Sequence, residues 1–188
     1  MSDIAALHRA ALAATRPRIV NVSSDQWTAP SVCDTWDVRA LVNHVISGNL
    51  WAAELVAGRT IAEVGDRFDG DVAGSDPVAA YDESADLAAA AFEAPGALEA
   101  PCAVSYGPVP GSLYAGHRFV DVLIHGWDIA ATTGQYRELD PELVDACWEV
   151  ITPQIDLLKA SGMFGGEITP PVGADSQTRL LALLGRVA

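Results

Sequence analysis

Asp121 and His125 stand four residues apart in the run GHRFVDVLIHGWDIA. On a helix that spacing stacks a carboxylate and an imidazole on one face, so one rigid element offers two kinds of metal ligand side by side. His44, in the separate helical run DVRALVNHVISGNLWAAELVAG, adds a third donor if the two helices meet. Two imidazoles and one carboxylate around a divalent ion leave positions open for water or substrate. The same spacing also serves a charge-paired histidine that binds no metal, and spacing alone leaves both readings open.

At about 100° per residue, His117, Asp121, His125 and Asp128 fall near 0°, 40°, 80° and 20°, so all four share one face of a single helix. That face is the one expected to look inward. Unpartnered ionisable groups are costly there, so they line a wet cleft, pair with one another, or surround a cation. The cation accounts for the clustering most economically. His117 and His125 lie about 12 Å apart along the helix axis, so His117 is placed in a pocket or supporting role beside the ion rather than in the ligand set. Asp128, one turn beyond His125, is placed as an acceptor orienting an imidazole, or as a surface acid. These two are the residues expected to meet a bound cofactor.

Trp127 reads as interhelical packing, with a pocket wall as the alternative, and Trp36 and Trp51 read as core or rim packing. Asn43 is either a surface amide or an interhelical hydrogen-bonder. The chain has no GxSxG elbow, no GxxxxGK[ST] phosphate cradle and no GxGxxG between strand and helix. Cys33, just ahead of the second helix, is the nearest thiol that a helix N-terminus could activate, although packing is the commoner role of such a cysteine. No side chain is assigned as catalytic.

The elements that must position these groups are helical. A first helix is expected from about Asp3 to Ser23, capped by Ser2, carrying His8 and bent at Pro17. A second follows a turn at Pro30–Asp34, capped by Asp34 or Thr35, and stops at Gly58. Residues 65–76, rich in Gly and Asp, read as an exposed connection, and Asp76-Pro77 opens an Ala-rich third helix ending near Glu93. Ala97–Ser112, with three prolines and alternation in CAVSY, reads as a loop or short extended arm. The fourth helix should run from about Ser112 to Thr133 and stop at Gly134. A fifth runs from Asp140-Pro141 towards Ala160, interrupted by Pro153. The sequence then closes in a tail, QTRLLALLGRVA, whose leucines would dock on the body. The expectation is an all-α protein: a four-helix bundle with a long crossover between the third and fourth helices and a short extended or hairpin arm before the fourth.

A length of 188 residues suits one domain, with the bundle over about 3–160 and the tail docking on it. No stretch reaches the roughly 18 apolar residues of a membrane span, and the N-terminus lacks the layout of a secretion signal, so the cytoplasm is the expected location. Eleven basic against 25 acidic residues give a formal net charge of −14, which disfavours nucleic acid and anionic membranes as partners. Cys33, Cys102 and Cys147 are an odd, widely spaced set, unlike a disulfide framework or a Cys-rich zinc site.

Three runs carry a family resemblance: Cys33 to His44 (CDTWDVRALVNH), Asp121 to Gln135 (DVLIHGWDIAATTGQ) and Arg179 to Arg186 (RLLALLGR). With them the chain resembles the DinB-like metal-binding bundles, and within these the actinobacterial group related to the N-terminal domain of mycothiol-dependent maleylpyruvate isomerase. The resemblance implies a four-helix bundle with a divalent metal, zinc foremost and nickel next, on His44, Asp121 and His125. It also implies mycothiol as a thiol cofactor. The isomerase uses Glu as the acidic ligand where this chain has the shorter Asp121, and this chain is too short for that enzyme's additional C-terminal domain.

Two functions are then in view. One is a metal- and mycothiol-dependent transferase or isomerase, in which the metal activates the cofactor thiol towards an electrophilic substrate. The other is a non-catalytic metal-binding or sensing module. The expected partners are a small thiol and an electrophile, with a homodimer as the one protein assembly considered.

Overall fold

The computed structural model describes residues 3–33, 35–156, 166 and 168–188. The chain divides into two compact units, Met1–Tyr136 and Arg137–Ala188. The first holds α1 (Ile4–Val20), α2 (Val38–Val56), the short α3 (Ile61–Val64), α4 (Pro77–Glu93), strands β1 (Pro101–Val104) and β2 (Gly107–Pro110), and α5 (Gly111–Thr133). The second holds α6 (Pro141–Ile151), a 3-10 turn at Thr152–Gln154, and α7 (Ser176–Leu183).

The principal helices α1, α2, α4 and α5 make the bundle, in which α1 packs on α5 and α4, and α2 packs on the same two. Three of these four starts are capped by aspartates visible in the sequence, while α5 begins after Pro110 with no side-chain cap. The side chains of Asp3, Asp37 and Asp76 accept backbone N–H groups of the first turns of α1, α2 and α4. Thr60 and Glu63 form a reciprocal capping box on α3, a helix the sequence pattern is too short to announce. Two starts differ from expectation. Asp3 caps α1, with Ser2 outside the described residues. Asp37 rather than Asp34 or Thr35 caps α2, because the chain first closes a turn with a bridge between Pro30 and Asp37.

Contacts fix the directions of the helices. Thr15 donates its hydroxyl to the Val122 carbonyl, and the Gln135 amide donates to Arg18 O, so α1 and α5 run the same way. Gly126 lets the two helices approach, since a Cβ there would stand 2.4 Å from Thr15 Oγ1. Asn49 pairs with Ser84 and Leu55 clusters with Phe92, so α2 runs parallel to α4; Asn49 pairs with Arg118 and His44 with Asp121, so α2 runs antiparallel to α5. A parallel pair needs a connection running back along the bundle, and residues 57–76 provide it between α2 and α4, so the long crossover joins the second and third principal helices and not the third and fourth as expected. Arg9 pairs with Glu93 and Arg16 with Asp82, so α4 runs against α1 and hence against α5. The connection before α5 is the hairpin arm, where Cys102 pairs with Val109. Cys102 and Val104 turn inward against Leu55, Phe92 and Tyr114, as the alternation in CAVSY requires.

In the second unit, Asp140 and Asp175 cap α6 and α7. The tail, for which the sequence announced no helix, is helical over Ser176–Leu183, with Leu180, Leu181, Leu183 and Leu184 buried. Trp148 Nε1 donates to the Ser176 carbonyl, and Gln177 Oε1 accepts from Leu139 N. α6 gives way to the 3-10 turn that contains Pro153; the stretch towards Ala160 lies outside the described residues. Burial pushes the Cys147 thiol up to about 12, which leaves it a packing group. No helix among the described residues is long and apolar enough to cross a membrane.

His8 is a cost the bundle carries. It is fully buried edge-on to Phe92, and neither ring nitrogen has a partner among the described residues. Burial, reinforced by the Arg118 charge, lowers its pKa to about 3. The folded protein therefore keeps His8 neutral while the unfolded chain takes up a proton below 6.5, so stability is lost as the pH falls from 6.5 towards 3. Between pH 6.5 and 5 this deficit is about 2 kcal/mol. Urea melts at both pH values should show the His8→Leu variant losing less stability on acidification than the parent by about that amount.

Candidate metal centre

α2 presents His44, and one face of α5 presents Arg118, Asp121, His125 and Asp128. Because the two helices pack antiparallel, His44 arrives opposite the one-turn gap between Asp121 and His125. Asp121 Oδ1 stands 3.4 Å from His44 Nε2 and 3.5 Å from His125 Nε2. The two imidazoles meet edge to face, with ring centroids 4.9 Å apart. Trp36 lies against both, 4.8 Å from the His44 ring and 6.0 Å from that of His125. His44 has 37% of its side chain exposed, so this end of the cluster faces solvent.

His125 uses both ring nitrogens. Nε2 looks to Asp121, while Nδ1–H donates to Asp128 Oδ2 at 2.9 Å. Asp128 is wholly buried and also accepts from the Cys33 thiol at 3.2 Å. The Cys33 sulfur is 4.0 Å from His125 Nδ1. Two triads therefore gather their donor atoms within 4.8 Å: His44 with Asp121 and His125, and Cys33 with His125 and Asp128. They share one imidazole, and the second triad is internally hydrogen-bonded. That makes it the support that fixes His125's tautomer and presents Nε2 to the first.

Electrostatics match this division. Burial works against ionising Asp121, yet the Arg118 guanidinium, then His125 and His44, hold its carboxyl well below the usual range. Burial likewise opposes a charge on His125, but the Asp121 carboxylate and hydrogen bonding to Asp121, Asp128 and Cys33 lift it well above 6.5. Without a cation, the pair settles as carboxylate and imidazolium.

The other sequence candidates sort themselves around this cluster. His117 joins Tyr106 at the tip of the hairpin, Nδ1 to Oη 2.5 Å, rather than the two triads. Trp127 is buried, its indole N–H without a partner among the described residues. Trp51 packs edge-on to Phe68. Asn43 is neither a free surface amide nor an interhelical link. Its oxygen accepts from Val72 N and Ala73 N, and its amide donates to Gly70 O, which ties the 57–76 connection to α2 beside His44.

Sequence reasoning missed Arg118, although its place three residues before Asp121 is itself an ion-pair spacing. Its Nη1 donates to Asp121 Oδ2 at 2.7 Å. It also missed the proximity of Cys33, which lies 92 residues from His125 and comes to it only through the loop between Pro30 and Asp37. That loop is held by Ser31 N to Trp36 O and by Val32 N to Thr132 Oγ1. Nothing in PSVCDTW signals the contact.

Residues 8–130 match the family described as the mycothiol maleylpyruvate isomerase N-terminal domain. Uncharacterized proteins of two Mycobacterium tuberculosis strains are each 35% identical to this chain, over 95% of it and 95% of their own length. Crystal structures of the mycothiol-dependent maleylpyruvate isomerase and of a mutant of it superpose with TM-scores of 0.65 and 0.64 at 16% identity, covering 87% of this chain and 72% of theirs. At that identity the superposition speaks for the fold, a DinB-like helical bundle. The match over residues 8–130 places the chain in the mycothiol maleylpyruvate isomerase N-terminal domain family.

Proposed function

We propose that the chain binds one divalent metal ion, zinc foremost and nickel next, through His44, Asp121 and His125, and uses it on a small thiol cofactor, mycothiol, in a transfer or isomerisation of an electrophilic substrate. The spacing of the donor atoms carries this reading. Asp121 Oδ1 keeps 3.4 and 3.5 Å from the two imidazole nitrogens. Charge-assisted N–H···O bonds close to about 2.7–2.9 Å, as Arg118 does on the other oxygen of the same carboxylate. Two ligands of a tetrahedral zinc, each about 2.1 Å from it, stand about 3.4 Å apart. These donors keep the separation of ligands, and two nitrogens with one oxygen suit either metal.

A metal ion bound there would lower the pKa of a coordinated thiol enough to hold it as thiolate near neutral pH. The chain's own residues do the positioning. Asp128 holds the His125 Nδ1 proton, Arg118 holds Asp121 Oδ2, and Trp36 packs on both imidazoles. No protein nucleophile is needed, and Cys33 is engaged with Asp128. The choice of mycothiol draws support from the family to which the chain belongs.

Elemental analysis after dialysis should find about one zinc or nickel per chain, and none in His44→Ala or His125→Ala; unchanged content in both variants would refute the site. Calorimetric titration of the loaded protein with mycothiol should show binding, and a loaded protein that ignores thiols would point to a metal-binding or sensing module instead.

Asp128→Asn should weaken zinc binding about 10- to 100-fold without removing the site, as the loss of a carboxylate behind a ligating imidazole does. Cys33→Ser should change it little.

Zinc uptake should also release a proton. The raised His125 pKa stabilises the metal-free fold fully below pH 6.5, and that contribution is lost as the pH climbs through the raised value. Zinc competes with the same proton, so its affinity rises over that window. Calorimetry at pH 6.5 in two buffers of unlike ionisation enthalpy should report close to one proton released per zinc.

A further inference from the structure

We infer that Arg118 makes the centre selective for a singly charged anionic ligand, the class to which a thiolate belongs; the inference rests on the metal-site reading above. Arg118 is not a surface ion-pairer. Its guanidinium is almost wholly buried, with Nη1 on Asp121 Oδ2 at 2.7 Å and Nη2 on Asn49 Oδ1 at 3.2 Å, facing the Val45 carbonyl at 3.5 Å. Asn49 is held in turn by its amide on Ser84 Oγ, and Ser84 donates to the Tyr81 carbonyl. The guanidinium lies on α2 at Gly48, where a Cβ would stand 2.3 Å from Nη1 and 2.6 Å from Cζ. Three helices are thus shaped around one buried positive charge.

Anchoring a carboxylate oxygen does not require a charge. An amide or hydroxyl donor would do it with a smaller desolvation cost. What only a guanidinium adds is the charge itself, in a fork of fixed geometry. With a divalent ion in place, Asp121 and Asp128 bring two negative charges against three positive ones, and the centre keeps one positive charge. Without Arg118 it would be balanced. In surroundings less polar than water, that residual charge favours an incoming monoanion over a neutral ligand. Because Arg118 occupies Oδ2, Asp121 also offers only Oδ1, which keeps a coordination position free for that ligand.

The test is cobalt(II)-loaded protein, read by visible absorption, titrated with azide as the monoanion and imidazole as the neutral ligand. Arg118→Met should weaken azide binding about 10- to 100-fold and leave imidazole binding nearly unchanged. Arg118→Lys, which keeps the charge and loses the fork, should retain azide. Azide binding unchanged in Arg118→Met, or both ligands weakened equally, would overturn the inference. If circular dichroism shows Arg118→Met unfolded, Arg118→Lys decides: retained azide binding supports the inference, and azide lost while imidazole is kept overturns it. The two readings fail differently, since a wild type that takes up no cobalt sinks the metal site itself, whereas loaded variants blind to ligand charge sink only the role of Arg118.

Discussion

A carboxylate lodged between a guanidinium and two imidazoles is the constraint to which the bundle answers. Burial by itself would neutralise Asp121, and Arg118 prevents that. Arg118 can be buried because Asp121, Asn49 and the Val45 carbonyl take donors of its two terminal nitrogens, leaving Nε without a partner among the described residues, and because α2 has no side chain at Gly48. Asn49 can be buried because Ser84 takes its amide. One charged group on α5 thus accounts for the residue chosen at a glycine and an asparagine on α2 and at a serine on α4. Each is a poor choice on helix propensity alone.

The match to the isomerase N-terminal family, residues 8–130, falls within the first compact unit, Met1–Tyr136, and every residue of the cluster belongs to that unit. The fold persists at 16% identity to the isomerase structures because a bundle core asks for volume and pattern more than for particular side chains. Sites of the kind built here ask for particular atoms.

What the sequence made legible follows the same line. Helix starts could be read from Asp-Pro pairs and α5 from its long apolar face ending at Gly134, since these are local effects of caps and periodicity. The grouping of Asp121 with His125 was legible because both lie on one helix, and the same geometry offered Asp128 as an acceptor for an imidazole or as a surface acid; the structure shows it buried and bonded to His125 Nδ1. Joining His44 to them depended on two helices meeting, which the family resemblance suggested and periodicity could not. Cys33 behind Asp128, Trp36 across both imidazoles and Asn49 beneath Arg118 depend on tertiary contacts between distant segments, and no local pattern encodes them. His117 shared the right helix face, but the hairpin that brings Tyr106 to it decides its surroundings.

Asn43 has a consequence for how such a chain can change over time. Its three hydrogen bonds fasten residues 70–73 to the turn of α2 that carries His44. Upstream of that latch, the connection from α2 opens with exposed chain at residues 57–60, whose closure entropy grows only slowly with length, before α3 buries Val64 and Phe68 packs on Trp51. Insertions or deletions between Gly58 and Thr60 are therefore absorbed before they reach the latch, and the imidazole does not feel them. The opening of the crossover is a stretch where lineages can diverge in length and surface character while the chemistry of the cluster stays in register.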